Sequence, residues 1–390
     1  MLRSALFSIL GTAGVASLAW VSLGYGQEST RGRIDIRREG NGWVRTFTGT
    51  VPAEARLRVV GHGPVTVEGG VSKDFSYTVN VKVMARTEAE ARHKLSRATV
   101  QLSNERGTCV VQVPGGEAQS TLNVRAPRLL AATVATTDGK VDVRGVDGGL
   151  HVNSRAGELF ADRISGDCEL VTGGGAISVG RVNGNLQCST GAGRISVKTV
   201  MGQANLNTDG GDIAANEVGG QVTAQTRGGG VHIGSAGGAV SATSGGGEIV
   251  VDHAAGQVSA QNMAGPVRVS GAGGVHCEST GAVALSHITG AMAVTTAMGS
   301  IFANLLGSRI ADSFLATGNG DITVVIPSSV GVTIRAANQL SDSLKRIVSD
   351  YSTVQIGRRG TLLVAEGRVN GGGPLLQING TGGTIFIKRQ

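Results

Sequence analysis

Glycine recurs through the middle of this chain at a fixed interval. Positions 139, 157, 175, 193, 211, 229, 247 and 265 lie 18 residues apart, and after one step of 16 the series resumes at 281 and 299. A second series runs through 148, 166, 184, 202, 220, 238 and 256. The unit is therefore 18 residues in two nine-residue halves, and a fixed period of this kind marks a repeat architecture. Two places after the first-series glycines stand Val141, Leu159, Ile177, Ile195 and Ile213, continuing to Ile301. Four places after stand Val143, Ala161, Val179, Val197 and Ala215, continuing to Ala303. The second half repeats the pattern with Leu150, Cys168, Leu186 and Ala204, then Val152, Leu170, Cys188 and Leu206. Alternation over two residues is the signature of a strand with one buried face.

These offsets predict an all-β fold, a single-stranded parallel right-handed β-helix or β-solenoid with 18-residue coils. Each coil would carry two short strands, with glycine at corners where positive φ or crowding excludes a Cβ. Equivalent residues would stack at the strand spacing, making a rod roughly 45 to 50 Å long, and right-handed winding is the default for parallel connections. Composition agrees: 63 Gly, 40% hydrophobic residues and only 3% aromatics suit a thin core of repeated layers. A further column, Ser154, Thr172, Thr190, Thr208, Thr226, Ser244, Asn262 and Thr296, is expected to satisfy backbone groups at the turns. Its alternative is a hydroxyl array for ice or polysaccharide. The short step between Gly265 and Gly281 predicts two residues lost from a turn.

The flanks differ. Residues 1–26 carry Arg3, an apolar run from Ala5 to Leu23, and Gly24 and Gly26 ahead of Gln27, the pattern of a signal peptide or an N-terminal anchor. Residues 27–128 are expected to form an N-terminal β-rich cap with one short helix at 87–97, opened by a Thr87–Glu90 capping box and burying Trp43 and Phe47. Residues 129–308 make the solenoid of about ten coils. Residues 309–390 form a C-terminal β cap, in which 341–351 reads as a helix or an extended loop.

The sequence resembles the bacterial putative-adhesin family, whose members are exported β-helical domains. The matching features are "VEGG" with "YTVNVKVMARTEAEARHKLSRATVQLSNERGTCVVQV", then "VRAP", the repeating G-x-[VI]-x-[VA]-x-x-[VI]-x-G core, and "GNGDITVVIP" with "GGGPLLQINGTGGTIFIKR". The resemblance implies a right-handed β-helix at the cell envelope and supplies no catalytic residue.

Candidate chemistry is sparse. Cys168 and Cys188 fall one coil apart and two residues out of register, roughly 8 Å between Cα atoms and beyond disulfide reach; Cys109 and Cys277 also lie on strands. His232, His253, His276 and His287 sit at outward offsets on different coils, without metal-ligand spacing. A calcium roll would need a carboxylate in every copy, but the places equivalent to Asp212 hold Ala176, Arg194, Gly230 and Glu248. Asp142 and Asp162 are the nearest approach to the paired carboxylates of sugar-cleaving enzymes, with Arg144 expected beneath Asp162 as an ion pair, and Lys140 beside Glu158 and Arg194 beside Asp212 repeat the pattern. No catalytic, cofactor-binding or metal residue is assigned, and no cofactor is expected.

The net charge of +7 makes anionic envelope polymers or lipid headgroups conceivable partners. Its cations cluster at Arg31, Arg33, Arg37, Arg38 and Arg45 and again at Lys345, Arg346, Arg358 and Arg359, and solvated charge on sheet edges is the simpler account. Nucleic acid is disfavoured because the repeat has almost no aromatics to stack bases. The expectation is a non-enzymatic cell-envelope protein, exported to the periplasm or cell surface, acting as an adhesin, scaffold or surface-recognition module. Its partner would be an envelope polymer or protein, and it would touch a membrane only through its start. The alternatives are a glycan-binding or glycan-cleaving β-helix, and an envelope-stress signalling partner.

Overall fold

A computed structural model describes residues 35–51, 55–70, 72–113, 118–306, 310–339 and 347–390; the leader or anchor expected over 1–26 lies outside them. The fold is an all-β parallel solenoid of about 11 turns, 63% strand and 3% helix, wound in coils of roughly 18 residues. Each regular coil holds two strands, as in Ile177–Val182 with Leu186–Thr190 and Ile195–Val200 with Ala204–Thr208. Strands pair with their equivalents one coil away: Ile177 opposes Ile195, which opposes Ile213, and Val179 opposes Val197. The inward residues form continuous columns, and Ile177, Ile195, Ile233 and Ile249 are fully buried. Stacked identical offsets let branched side chains of one coil fill the spaces between those of the next, which gives crystal-like packing without large aromatics.

The corner glycines are needed for space more than for conformation. Within the repeat only Gly139 and Gly145 have positive φ, at 89° and 72°. A Cβ on Gly175, Gly193, Gly211 or Gly229 would overlap the carbonyl of the glycine one coil earlier. The corners therefore stack backbone on backbone, and crowding decides the residue type. Beside them runs the hydroxyl column, buried along its length. Thr208 donates from Oγ1 to the carbonyl of Gly193 at 3.0 Å and accepts from the N–H of Gly211 at 3.2 Å. Thr190, Thr226 and Ser244 repeat both bonds, and Asn262 does so through its carboxamide. Each hydroxyl ties its own turn to the corner of the preceding coil, so the column is structural rather than a ligand array. Ser279, which the periodicity skipped, continues it.

The short step after Gly265 is spread over two turns. Ala254 opposes Ala272, yet Gln257 opposes Gly274, so one residue is lost there. A second is lost by Val267, which opposes Val283.

Stacking continues beyond the regular repeat at both ends, out of sequence order. Strands Arg56–Gly61 and Val65–Gly69 form a coil sandwiched between 108–126 and 129–154, parallel to both neighbours. At the far end Leu375–Gly380 lies between Ser313–Thr317 and Val332–Gln339, and Ile385–Arg389 between Ile322–Ile326 and Ile347–Ser349. Antiparallel strands then close the sheets: Phe75–Val83 on Gln119–Ala126, Gly42–Val51 on Phe75–Val83, and Leu362–Val369 on Val332–Gln339. This covers the edges that an open solenoid would leave unpaired.

The single helix among the described residues, Glu88–Ser96, buries Ala91 and Leu95 against the N-terminal sheet. Its capping differs from the expectation in one bond: Thr87 Oγ1 accepts from Glu90 N–H, but Glu90 Oε2 accepts from Arg86 N–H instead of Thr87. Phe47 is buried with Arg45 over its ring, and Trp43 is half-buried against the core. In the segment expected as helix or loop, Ile347–Ser349 is a strand, and 341–346 lie outside the described residues. Among the described residues no helix is long and apolar enough to cross a membrane.

Candidate binding groove

The two sheets present different outer faces. On the sheet of first-half strands the outer face mixes small uncharged residues such as Ser178, Ser196 and Ala214 with charged ones, some of which pair across coils. Arg194 meets Asp212 at 2.9 Å, Arg268 meets Glu248 at 3.1 Å and His232 meets Asp252 at 3.0 Å. The backbone N–H of Gly230 and the Arg194 guanidinium hold the Asp212 carboxyl below its usual range. Such exposed pairs contribute little stability; among the described residues Arg181, Lys198 and Glu217 form no ion pair, and Lys140 and Glu158, expected to pair, do not.

Arg144 is in register with Asp162, yet pairs elsewhere. It grips Asp142 with two bonds of 2.8 and 2.9 Å and lies over the Phe160 ring at 4.8 Å. Residues two apart share a face of one strand, and the ring one coil on props the guanidinium toward its own strand-mate. Asp162 instead accepts the backbone N–H of Arg181 at 3.0 Å. Both carboxylates of this candidate acid pair are thus committed, Asp142 to a bidentate cation and Asp162 to the backbone of the strand one coil on.

The sheet of second-half strands carries a groove of about 580 Å³ along the rod. Its floor is built over the inward residues Leu150, Cys168, Leu186 and Ala204. One wall comes from the residue just before each strand: Asp167, Asn185, Gln203 and Gln221. The other comes from the residue after each floor position: His151, Glu169, Gln187, Asn205 and Thr223. Equivalent positions stack coil on coil, so each wall is a column; the groove runs roughly 24 Å at the usual strand spacing, and the first wall is polar from Asp167 onward, with Ala131 and Gly149 on the two rungs before it.

Some of these groups hold the wall itself. Asp167 accepts the Asn185 N–H at 2.8 Å, Asn185 accepts the Gln203 N–H through Oδ1 at 3.0 Å, and His151 pairs with Glu169 at 3.0 Å. Among the described residues nothing bonds the side chains of Gln187, Gln203, Asn205 and Gln221, all exposed. The groove thus grades from a charged end at His151, Asp167 and Glu169 to a neutral carboxamide end. The inward periodicity marks the floor residues Leu150, Cys168, Leu186 and Ala204 but none of the wall residues. Their signal in the sequence is that the second glycine series is followed by Asp167, Asn185, Gln203 and Gln221 at one outward offset.

All four cysteines are free thiols in the core. Cys168 opposes Leu186 while Leu170 opposes Cys188, the two-residue offset read from the repeat. Burial pushes Cys168 and Cys277 up to about 12 and Cys188 well upward, which holds these three as neutral thiols at neutral pH. His276 meets Glu278 at 3.5 Å, and His253 and His287 are exposed. Among the described residues no group of three or more His, Cys, Asp or Glu is placed to hold a metal ion.

No protein-family model and no curated protein matches the chain. Among solved structures it is similar to a putative adhesin from Bacteroides fragilis, with 12% identity, 65% of this chain and 96% of that one covered, and a TM-score of 0.28. It is also similar to a putative adhesin from Parabacteroides distasonis, with 12% identity, 69% and 96% coverage and a TM-score of 0.26. A putative cell adhesion protein from Clostridium sporogenes covers 89% of this chain and 100% of its own length at 10% identity and a TM-score of 0.20. Likeness of this degree bears on neither role nor ligand.

Proposed function

We propose that this chain is a non-catalytic, adhesin-like binding protein of the cell exterior, and that the axial groove is its working surface. One observation carries the reading: the groove presents exposed carboxamides with no partner of their own among the described residues, in columns fixed by the core beneath. Rigid, repeated hydrogen-bonding groups on a concave face suit recognition of an extended polymer. Three points favour binding over cleavage: Asp142 is tied to Arg144, Asp162 is tied to the backbone N–H of Arg181, and the cysteines are buried. The leader-like pattern of residues 1–26 supports a place outside the cytoplasm.

The test is retention of the purified full-length protein on isolated cell envelopes. A triple variant, Gln187→Ala, Asn205→Ala and Gln221→Ala, should melt as the parent does and lose most of its retention. Equal retention by the variant would remove the groove from the account. Release of soluble fragments from the envelopes would overturn the non-catalytic reading.

A further inference from the structure

We propose that the groove takes an uncharged polysaccharide laid along the rod, and not the anionic polymer that the chain's net charge suggests. This rests on the binding reading above and narrows its ligand. Charge in the groove runs against charge in the molecule. The chain as a whole is +7, yet the groove walls carry Asp167 and Glu169, and their one potential cation, His151, is already paired with Glu169. No Lys or Arg lines the groove. A polymer of carboxylates or phosphates would meet two carboxylates at one end and, along the rest, carboxamides that bring no compensating charge.

Carboxamides instead match hydroxyls. Each offers a donor end and an acceptor end without charge, and each sugar hydroxyl can serve as both. Columns with one such group per rung, roughly 4.8 Å apart, present this pairing repeatedly along the axis. That suits a ligand that is itself a repeat running in the same direction. A peptide adding as a strand has no place here, because the floor strands are already paired on both sides. A folded protein partner would be expected to find aromatic or arginine anchors, and the groove has neither. Without aromatic platforms each rung contributes weakly, so affinity should grow with polymer length.

The experiment is affinity electrophoresis and calorimetry of the full-length protein. The uncharged probes are mixed-linkage β-glucan, galactomannan and dextran; the anionic probes are alginate and polygalacturonate. Each is run at low salt and at about 0.5 M salt. At least one uncharged polymer should bind, with less than about twofold change on adding salt and tighter binding for longer chains. Gln187→Ala with Asn205→Ala should weaken binding by about tenfold or more at unchanged melting temperature, and Gln203→Ala with Gln221→Ala on the other wall should do the same. Arg358→Ala with Arg359→Ala should leave it unchanged. Binding confined to the anionic probes, binding abolished by salt, or full binding by both wall variants would overturn the proposal. If no uncharged probe binds while envelope retention still depends on the groove, the sugar assignment falls and the binding reading stands. If retention is also independent of the groove, both fall.

Discussion

Gly211 and Thr208 show how a corner is held. Gly211 sits where a Cβ would overlap the carbonyl of Gly193, and its φ lies outside the left-handed region. Gly211→Ala should therefore cost about 1 to 3 kcal/mol through overpacking, and Gly211→Asn should cost at least as much, because tolerance of left-handed backbone relieves nothing there. At Gly360, with φ of +62° and open space around it, the order reverses: Asn should be accepted and Val should not. Urea unfolding of the four variants separates crowding from conformation. Thr208→Val leaves the half-buried Gly193 carbonyl and Gly211 N–H without this partner, for a loss of about 1 kcal/mol, while Thr208→Ser should nearly restore the parent midpoint. The buried thiols set an alkaline limit. Cys168 and Cys277 are raised by burial from the ordinary 9.0 to about 12, so the fold favours their neutral form. That contribution is complete below pH 9 and is lost as pH climbs toward 12. The urea midpoint should fall across this window, and replacing Cys168, Cys188 and Cys277 by Ala should flatten the fall.

The coil, as an element, was legible in the sequence because its inward offsets never vary: Ile177, Ile195 and Ile213 could be aligned from spacing alone and stack as expected. What spacing does not encode is which surface group another surface group chooses. Arg144 reaches along its own strand to Asp142 rather than across to Asp162, a choice set by side-chain length and the Phe160 ring. The glycine corners were anticipated but their cause was divided between φ and crowding, and only coordinates assign it to crowding. The end coils were read as caps because their order is scrambled: 375–389 stacks before 332–349, and no local period reports an insertion between coils distant in sequence. That insertion makes a prediction. Removing residues 371–390 takes away the rung joining 313–326 to 332–349, and the outer hairpin loses its support. Hydrogen exchange should show loss of protection across 332–339 and 362–369, with 177–251 unchanged. Uniform loss along the rod would instead mean that the solenoid unfolds as one cooperative unit.

The whole molecule is a repeat locked at both ends, with a terminal segment of the chain threaded inside the stack at each. Stability in the middle should then be a sum over equivalent rungs, whereas the ends depend on particular connections. Deleting residues 194–211 removes one complete coil and joins Gly193 to Asp212, so every remaining inward offset is preserved. Ile177 would oppose Ile213, and Thr226 would meet the carbonyl of Gly193 as it now meets that of Gly211. The shortened protein should fold, melt within a few degrees of the parent, and carry a groove roughly 4.8 Å shorter, lacking Gln203 and Asn205. Its affinity for a long polymer should fall, while circular dichroism remains that of the parent. Truncation at 371–390 removes a similar length of chain and should lower the melting temperature much further. If the internal deletion were as damaging as the truncation, the central coils would not be interchangeable, and register would depend on individual side chains instead of the repeated columns.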